Sequence, residues 1–370
     1  MKKKYNSERG SRLLRFIDRY IGIPVVFLLG VFKKKKNFPD KIEKIALLKT
    51  AAIGDTTLLT GIIKDIEEYN PNIEMTLFTG SSNYEFAKLL KKQFKNLDVI
   101  KLPIKHPFKA IKIIKSKQFD VFLDFGPWPR LNAIFTFFSN SKYTIGFKTD
   151  GQFRHFVYDQ CVFHSKEIHE FQNYKNIIKI IGINKNNLPK INFLKDIKKD
   201  NNIVSIHMFP GGSRSYLKEW PEEYWVEIIN FLTKNKKTVY LTGAKIDQNR
   251  AEQIKKLCKD KDKIIITAGK FTLEETIKLL SRSKLVISVN TGIMHLASAL
   301  QCNLIALHGP TSFKRWGPLN SNSISLQSCL ECSPCLNLGF EYGCNENKCM
   351  KTIDVNKVIE AINVFLGLTK

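Results

Sequence analysis

The sequence predicts an α/β protein made of two halves, each with its own parallel sheet. Three observations predict it. The chain has 370 residues, enough for two domains at roughly 150 residues apiece. Short apolar runs alternate with amphipathic stretches from residue 41 onward, the pattern of strands joined by crossover helices. A polar, Lys- and Asn-rich stretch, 184–202, divides this alternation into two series and reads as an interdomain linker.

Residues 11–32 (SRLLRFIDRYIGIPVVFLLGVF) come before the first series. Their uninterrupted apolar part, Ile21–Phe32, is twelve residues long, short of the roughly twenty a helix needs to cross a bilayer core. Tyr20 and basic residues on both sides suit a segment lying in a membrane interface, with Pro24 expected to kink it. The other reading of this segment is a helix packed on the body. In the first half, Lys44–Leu48 is a buried strand and Thr56–Tyr69 a helix. Met75–Phe78, Val99–Ile100, Val121–Phe125 and Thr144–Phe147 are further strands. In the second half, strands are expected at Val204–Met208, Thr238–Thr242, Ile264–Thr267, Leu285–Ser288 and Leu304–Leu307. Helices are expected at Pro221–Thr233, Asp247–Leu257, Leu273–Arg282, Gly292–Leu300 and Val355–Leu366. The division is therefore 1–40 for a basic, apolar N-terminal segment, 41–195 for a first Rossmann-like domain, 200–350 for a second, and 351–370 for a C-terminal helix.

Hydrophobic residues make up 43% and charged residues 25%, ordinary for a globular protein, so disorder is not the default reading. The net charge of +25 favours polyanionic partners: nucleic acid, anionic lipid or phosphorylated saccharide. Much of it is local, since residues 1–37 hold eleven Lys or Arg against Glu8 and Asp18. The apolar stretch comes late, is followed by Lys33–Lys36 and lacks a small-residue cleavage site, so no cleavable signal peptide is read. The expected location is the cytoplasm, peripheral on the inner face of the membrane.

In open α/β sheets the ligand sits outside the carboxyl ends of the strands, and three strand-to-helix loops carry suitable chemistry. In Lys49–Asp55 (KTAAIGD), Gly54 permits a tight turn and Asp55 stands at the helix start, either as a cap or as a general base. In Pro210–Trp220 (PGGSRSYLKEW), Gly211 and Gly212 let backbone approach a ligand, Ser213 and Ser215 offer hydroxyls, and Lys218 offers a charge. Amides, a helix N-terminus and a Lys together suit a diphosphate. The loop is not a P-loop, because GxxxxGK[ST] is absent. In Ser288–His295 (SVNTGIMH), Asn290, Thr291 and Gly292 open a helix as a second amide-rich anion site. His295 reads by itself as a packed helix histidine.

In order and spacing these loops resemble the heptosyltransferase family of glycosyltransferases, family 9. The matching segments are Gly54-Asp55, Pro210–Ser213 leading to Lys218-Glu219-Trp220-Pro221, Asn290–Ala299, His308-Gly309-Pro310-Thr311 and Gly317-Pro318. Val121–Gly126 with Arg130, Ser141–Phe147 and Leu241–Asp247 match more weakly. The resemblance covers residues 42–366. It implies a GT-B fold of two Rossmann-like domains with a cleft between them. It also implies inverting transfer of heptose or a related sugar, from an ADP-heptose-like donor to lipopolysaccharide core or a similar acidic glycolipid at the inner membrane surface. By the same resemblance Asp55 is the base. Gly211, Gly212, Ser213, Ser215 and Lys218 hold the diphosphate. Asn290, Thr291, Gly292 and His295 line the phosphate and sugar site, and Asp247 meets ribose hydroxyls. Acceptor contacts are expected from Gly54, Arg130 and Lys142, with Lys105 and Arg154 as further candidates. The family usually has Asp where Asn290 stands. Asn caps the helix equally well but carries no charge, which leaves the donor sugar open.

Cys329, Cys332, Cys335, Cys344 and Cys349 form C-x2-C-x2-C-x8-C-x4-C. No metal is expected in catalysis. Cys332, Cys335, Cys344 and Cys349 are candidates for a structural zinc, the alternative being free or mutually oxidisable thiols. Two other functions stay open. One is another nucleotide-sugar glycosyltransferase or an epimerase of the same architecture. The other is a basic nucleic-acid-binding protein with a Cys-metal module. The latter explains the charge and the cysteines but not three ordered phosphate-type loops, so no nucleic acid is expected as partner.

Overall fold

The computed structural model describes residues 12–194, 197–212, 214–336 and 344–367. The chain forms two compact units, Met1–Pro189 and Lys190–Lys370, so the division falls inside the polar stretch 184–202.

The first unit opens with α1 (Arg12–Tyr20) and α2 (Gly22–Val31), followed by β1 (Lys44–Lys49) and α3 (Ile53–Tyr69). Then come β2 (Glu74–Thr79), α4 (Tyr84–Leu90), β3 (Leu97–Lys101) and α5 (Pro107–Lys115). It closes with β4 (Val121–Asp124), α6 (Arg130–Phe137), β5 (Tyr143–Lys148), β6 (Gln160–Phe163) and α7 (Glu170–Lys179). The six strands form one parallel sheet in the order β3-β2-β1-β4-β5-β6. In β1, five of six residues are buried, as expected of a parallel strand covered on both faces. The chain builds outward from β1 to β3, then crosses back to β4 and builds the other way. The switch point of this sheet therefore lies between β1 and β4.

The second unit repeats the plan. Its elements are β7 (Asp200–His207), α8 (Glu222–Lys234), β8 (Thr238–Leu241), α9 (Gln248–Leu257), β9 (Ile264–Ile266) and α10 (Leu273–Arg282). After these come β10 (Ser283–Val289), α11 (Gly292–Ala299), β11 (Leu304–His308), α12 (Phe313–Trp316), β12 (Ser323–Gln327), α13 (Lys348–Lys351) and α14 (Val355–Leu366). The order β12-β11-β10-β7-β8-β9 puts this switch point between β7 and β10. The C-terminal helix α14 is part of this unit: Val355, Val358, Ala361 and Ile362 join the core of Val204, Ile206 and Leu241. These two Rossmann-like sheets are the α/β architecture the sequence predicts.

Two strands escape the sequence reading, β6 (QCVF) and β12 (SISLQ). Each lies at a sheet edge, paired on one side and mostly half-buried. An edge strand needs no continuous apolar run, so the signal that marks β1 is absent. Pro24 interrupts the N-terminal segment as expected: α1 ends at Tyr20, whose carbonyl has no helical partner in the Pro24 nitrogen, while Ile21 donates to the Ile17 carbonyl and Val25 to the Ile21 carbonyl across the break. The N-terminal helices pack on the body through Val26, which meets Ala133, Val157 and Tyr158. Glycines allow the close approach: a Cβ on Gly30 would stand 2.6 Å from the Phe156 Cβ. Among the described residues no helix is long and apolar enough to cross a membrane.

Candidate active site

The loop after β1 delivers Asp55 to the switch point of the first sheet. Asp55 lies in the first turn of α3, but it does not cap the helix; the N-cap is Ala52. Its carboxylate turns back toward the strand end instead. Lys49 Nζ lies 2.8 Å from Asp55 Oδ1, and the Tyr174 hydroxyl donates to the same oxygen at 3.1 Å. Lys49 also donates to the Tyr174 hydroxyl at 2.6 Å and to the Phe125 carbonyl at 3.0 Å. The turn itself is fixed by Asn83, which donates to the Lys49 carbonyl at 2.7 Å and to Thr56 Oγ1 at 2.8 Å. Gly54 is buried inside that turn, so it offers a backbone position rather than an exposed acceptor contact.

The basic acceptor candidates are not gathered there. Arg130 begins α6 after β4, but its guanidinium is buried. It pairs with Asp18 of α1 at 2.9 Å and donates to the Gln152 and Gly151 carbonyls at 3.2 Å. It fastens α1 to the body instead of facing a ligand. Arg154 is fully buried, where it pairs with Asp124 and donates to the Gly126 carbonyl and the Tyr158 hydroxyl. Lys142 precedes β5 and pairs with Asp120 at 2.8 Å, just ahead of β4. That is the amino end of the sheet, opposite the switch-point crevice. Lys105 alone of these four is exposed in a loop on the carboxyl side, after β3.

In the second unit the predicted loops hang from neighbouring strands. The β7 loop has Gly212 at φ 98°, a left-handed conformation that favours glycine. Lys218 Nζ donates to the Gly211 carbonyl at 3.2 Å, so the lysine arches back over the glycines. Ser215 is buried, and Ser213 lies outside the described residues. Trp220 is a tie rather than a ligand wall: its indole donates to the Ile353 carbonyl at 3.0 Å, and its ring stands edge-on to Trp225. After β10, Thr291 caps α11 by accepting from the Met294 N–H at 3.4 Å, and Gly292 opens the helix. Asn290 Nδ2 lies 3.2 Å from His308 Nδ1. His295 is buried on α11. Asp247 is also buried, and its Oδ2 accepts from the Ala244 N–H at 3.1 Å, closing the turn after β8. One carboxylate oxygen of the predicted ribose ligand is thus engaged in holding its own loop.

The sequence reading assigns no role to two histidines at these strand ends, His207 and the His308 of the His308-Gly309-Pro310-Thr311 segment. His207 ends β7 and meets Thr242 Oγ1 at 2.9 Å; burial lowers its pKa to about 4. His308 ends β11, and burial, reinforced by nearby His295, lowers its pKa to about 3. Both are neutral near pH 7. These two side chains therefore add no charge at the strand ends.

A family model described as glycosyltransferase family 9 (heptosyltransferase) matches residues 108–345. The chain belongs to this family. It is 29% identical over 142 residues to lipooligosaccharide heptosyltransferase 2 of Haemophilus ducreyi, covering 37% of this chain and 41% of the relative. To lipooligosaccharide heptosyltransferase 2 of Campylobacter jejuni it is 26% identical over 176 residues, covering 47% of this chain and 55% of the relative. The matches thus span about half the length of these curated relatives. The fold matches the structure of ADP-heptose lps heptosyltransferase II of E. coli with a TM-score of 0.70 at 17% identity, over 87% of this chain and 98% of that one. The GT-B class expected from the motifs is the fold of this family 9 chain. The family match begins after the β1 loop, so the place of Asp55 is read from its geometry.

The cysteine stretch follows the family 9 loops. Among the described residues, no three His, Cys, Asp or Glu are grouped so as to hold a metal ion. Cys332, Cys335, Cys344 and Cys349 form no such group. Cys349 is buried beside Gly309, and its thiol is pushed up to about 11 by burial and by nearby Cys335, Cys344 and Cys332. Cys344 is exposed, and its carbonyl accepts from Arg214.

Proposed function

We propose that this protein is an inverting glycosyltransferase that moves heptose or a related sugar from an ADP-type nucleotide-sugar to lipopolysaccharide core or a similar acidic membrane glycolipid. The observation that supports it most is the Asp55 carboxylate at the switch point of the first sheet, in a chain whose second sheet carries two amide-rich loops at its own switch point. Asp55 takes the proton of the acceptor hydroxyl as that oxygen attacks the anomeric carbon. The bond to the diphosphate breaks on the opposite face, and the electron pair leaves with the diphosphate. Lys218 and the amides around Gly212 and Gly292 stabilise that leaving charge. In this reading protein groups carry each step.

The same proposal places the protein peripherally on the inner face of the cytoplasmic membrane. Leu13, Phe16, Tyr20, Ile21, Phe27, Leu28, Val31 and Phe32 are all exposed on the N-terminal helical segment, whereas Gly22 and Val26 face the body. The exposed positions recur at helical spacing, and exposed Arg19, Lys34 and Lys35 flank them. An apolar stripe with a cationic border suits an anionic lipid surface.

The test is product analysis with ADP-, UDP-, GDP- and CDP-linked sugars and a lipid-core acceptor. Asp55→Asn is expected to lower kcat by about 10²–10⁴, the range for loss of a general base. Retention of wild-type transfer by this variant removes the assignment. Acceptor-independent conversion of the sugar identifies an epimerase instead.

A further inference from the structure

Lys49 is a buried lysine on a strand, and lysine is almost never buried unless its charge is held. Here it is held by the Asp55 carboxylate, the Tyr174 hydroxyl and the Phe125 carbonyl. Tyr174 comes from α7, far along the chain. Its ring is fully buried and stands edge-on to Phe125, with centroids 5.3 Å apart. These packed neighbours leave the hydroxyl little freedom. The side chain of Lys49 is 3% exposed and that of Asp55 is 19% exposed, so the cluster is closed at the lysine and open at the carboxylate.

Stability alone is a weak reason for such a cluster, since a buried ion pair often contributes no more than an apolar replacement. Both Lys49 and Tyr174 act on Asp55 through the same oxygen, Oδ1. Two contacts to one oxygen fix the rotation of the carboxylate about its Cβ–Cγ bond. A neighbouring positive charge also favours the ionised form, the only form that accepts a proton.

We propose that Lys49 and Tyr174 are positioning residues that keep Asp55 ionised and aimed for proton abstraction. This rests on the reading of Asp55 as the base. Both residues act through the Asp55 carboxylate. The lysine sets the protonation state, and the tyrosine, buttressed by Phe125, sets the angle.

The experiment compares full-length Tyr174→Phe, Lys49→Gln, Lys49→Arg and Asp55→Asn by steady-state kinetics across pH. Tyr174→Phe keeps the buried ring and so preserves the packing. It is expected to lower kcat roughly 10-fold, because small errors in a catalytic group's placement have effects of this order. KM for donor and acceptor should stay within about 2-fold, since uniform binding is untouched. Lys49→Gln should move the acid limb of the pH–rate profile upward, and Lys49→Arg, which keeps the charge, should return it toward wild type. A merely structural role would leave that limb in place. If Tyr174→Phe keeps wild-type kcat and pH profile while Asp55→Asn is inactive, the positioning proposal is wrong and the base assignment stands. If Asp55→Asn is itself active, the base assignment is what fails. Should the Lys49 variants not fold, Tyr174→Phe alone decides.

Discussion

Replacing Trp220 by Phe tests whether the Trp of the family 9 K-x-W-P segment binds the donor or holds the loop that does. Its indole N–H is buried and donates to the Ile353 carbonyl at 3.0 Å, joining the β7 loop to the segment before α14. Phe removes the donor and leaves that carbonyl unsatisfied, which costs about 1–3 kcal/mol. The smaller ring also leaves unfilled volume beside Trp225, adding about 1 kcal/mol. The combined loss is about 3 kcal/mol. For a unit of this size each kcal/mol lowers the melting midpoint by roughly 2–4 °C, so a fall of about 6–12 °C is expected. Asn347, which donates to the Glu219 carbonyl at 2.9 Å, still ties the loop, so the phosphate-facing backbone should survive well below the midpoint. Differential scanning calorimetry measures the first quantity, and titration calorimetry with ADP at 20 °C the second. An unchanged midpoint would refute the structural argument. A large loss of ADP affinity at unchanged stability would show that Trp220 contacts the ligand.

Three further outcomes are expected. Vesicle co-sedimentation should show binding to anionic but not to zwitterionic vesicles, and deletion of residues 1–37 should abolish it; binding that survives the deletion places the membrane contact elsewhere. His207 and His308, lowered by burial to about 4 and about 3, bind fewer protons folded than unfolded between those values and about pH 6.5. Stability should therefore fall as pH drops through that window, by up to roughly 1.4 kcal/mol per unit for each histidine; melts that stay flat from pH 6.5 to 4.5 would contradict this. Because no three His, Cys, Asp or Glu among the described residues are grouped to hold a metal, prolonged chelation should leave the midpoint unchanged, whereas a fall of several degrees with release of zinc would show that the thiolates close around an ion.

Much of the fold was readable because buried parallel strands such as IALL in β1 and LVI in β10 are continuous apolar runs, and their loops carry Gly, Asn and Thr where helices begin. The edge strands β6 and β12 were not, for want of such a run. Within the candidate site, the β7 and β10 loops were legible because backbone chemistry decides them: Gly212 takes a left-handed conformation and Thr291 caps its helix whatever surrounds them. Long side chains were another matter. Arg130, Arg154 and Lys142 are cations in the right stretches of sequence, yet each is paired with a carboxylate distant in the chain.

Local pattern thus determined two Rossmann-like sheets, the order of their loops and Asp55 as the first residue to test. Period, turn chemistry and charge act between residues close in sequence. Tertiary structure alone decided what those side chains do. It brought Tyr174 from α7 to Lys49 and Asp55, turned Asp247 into its own loop, and spent Arg130 on Asp18. A side chain's role depends on which partner lies within about 3 Å, and pairing across a hundred residues is set by how the sheet and helices pack.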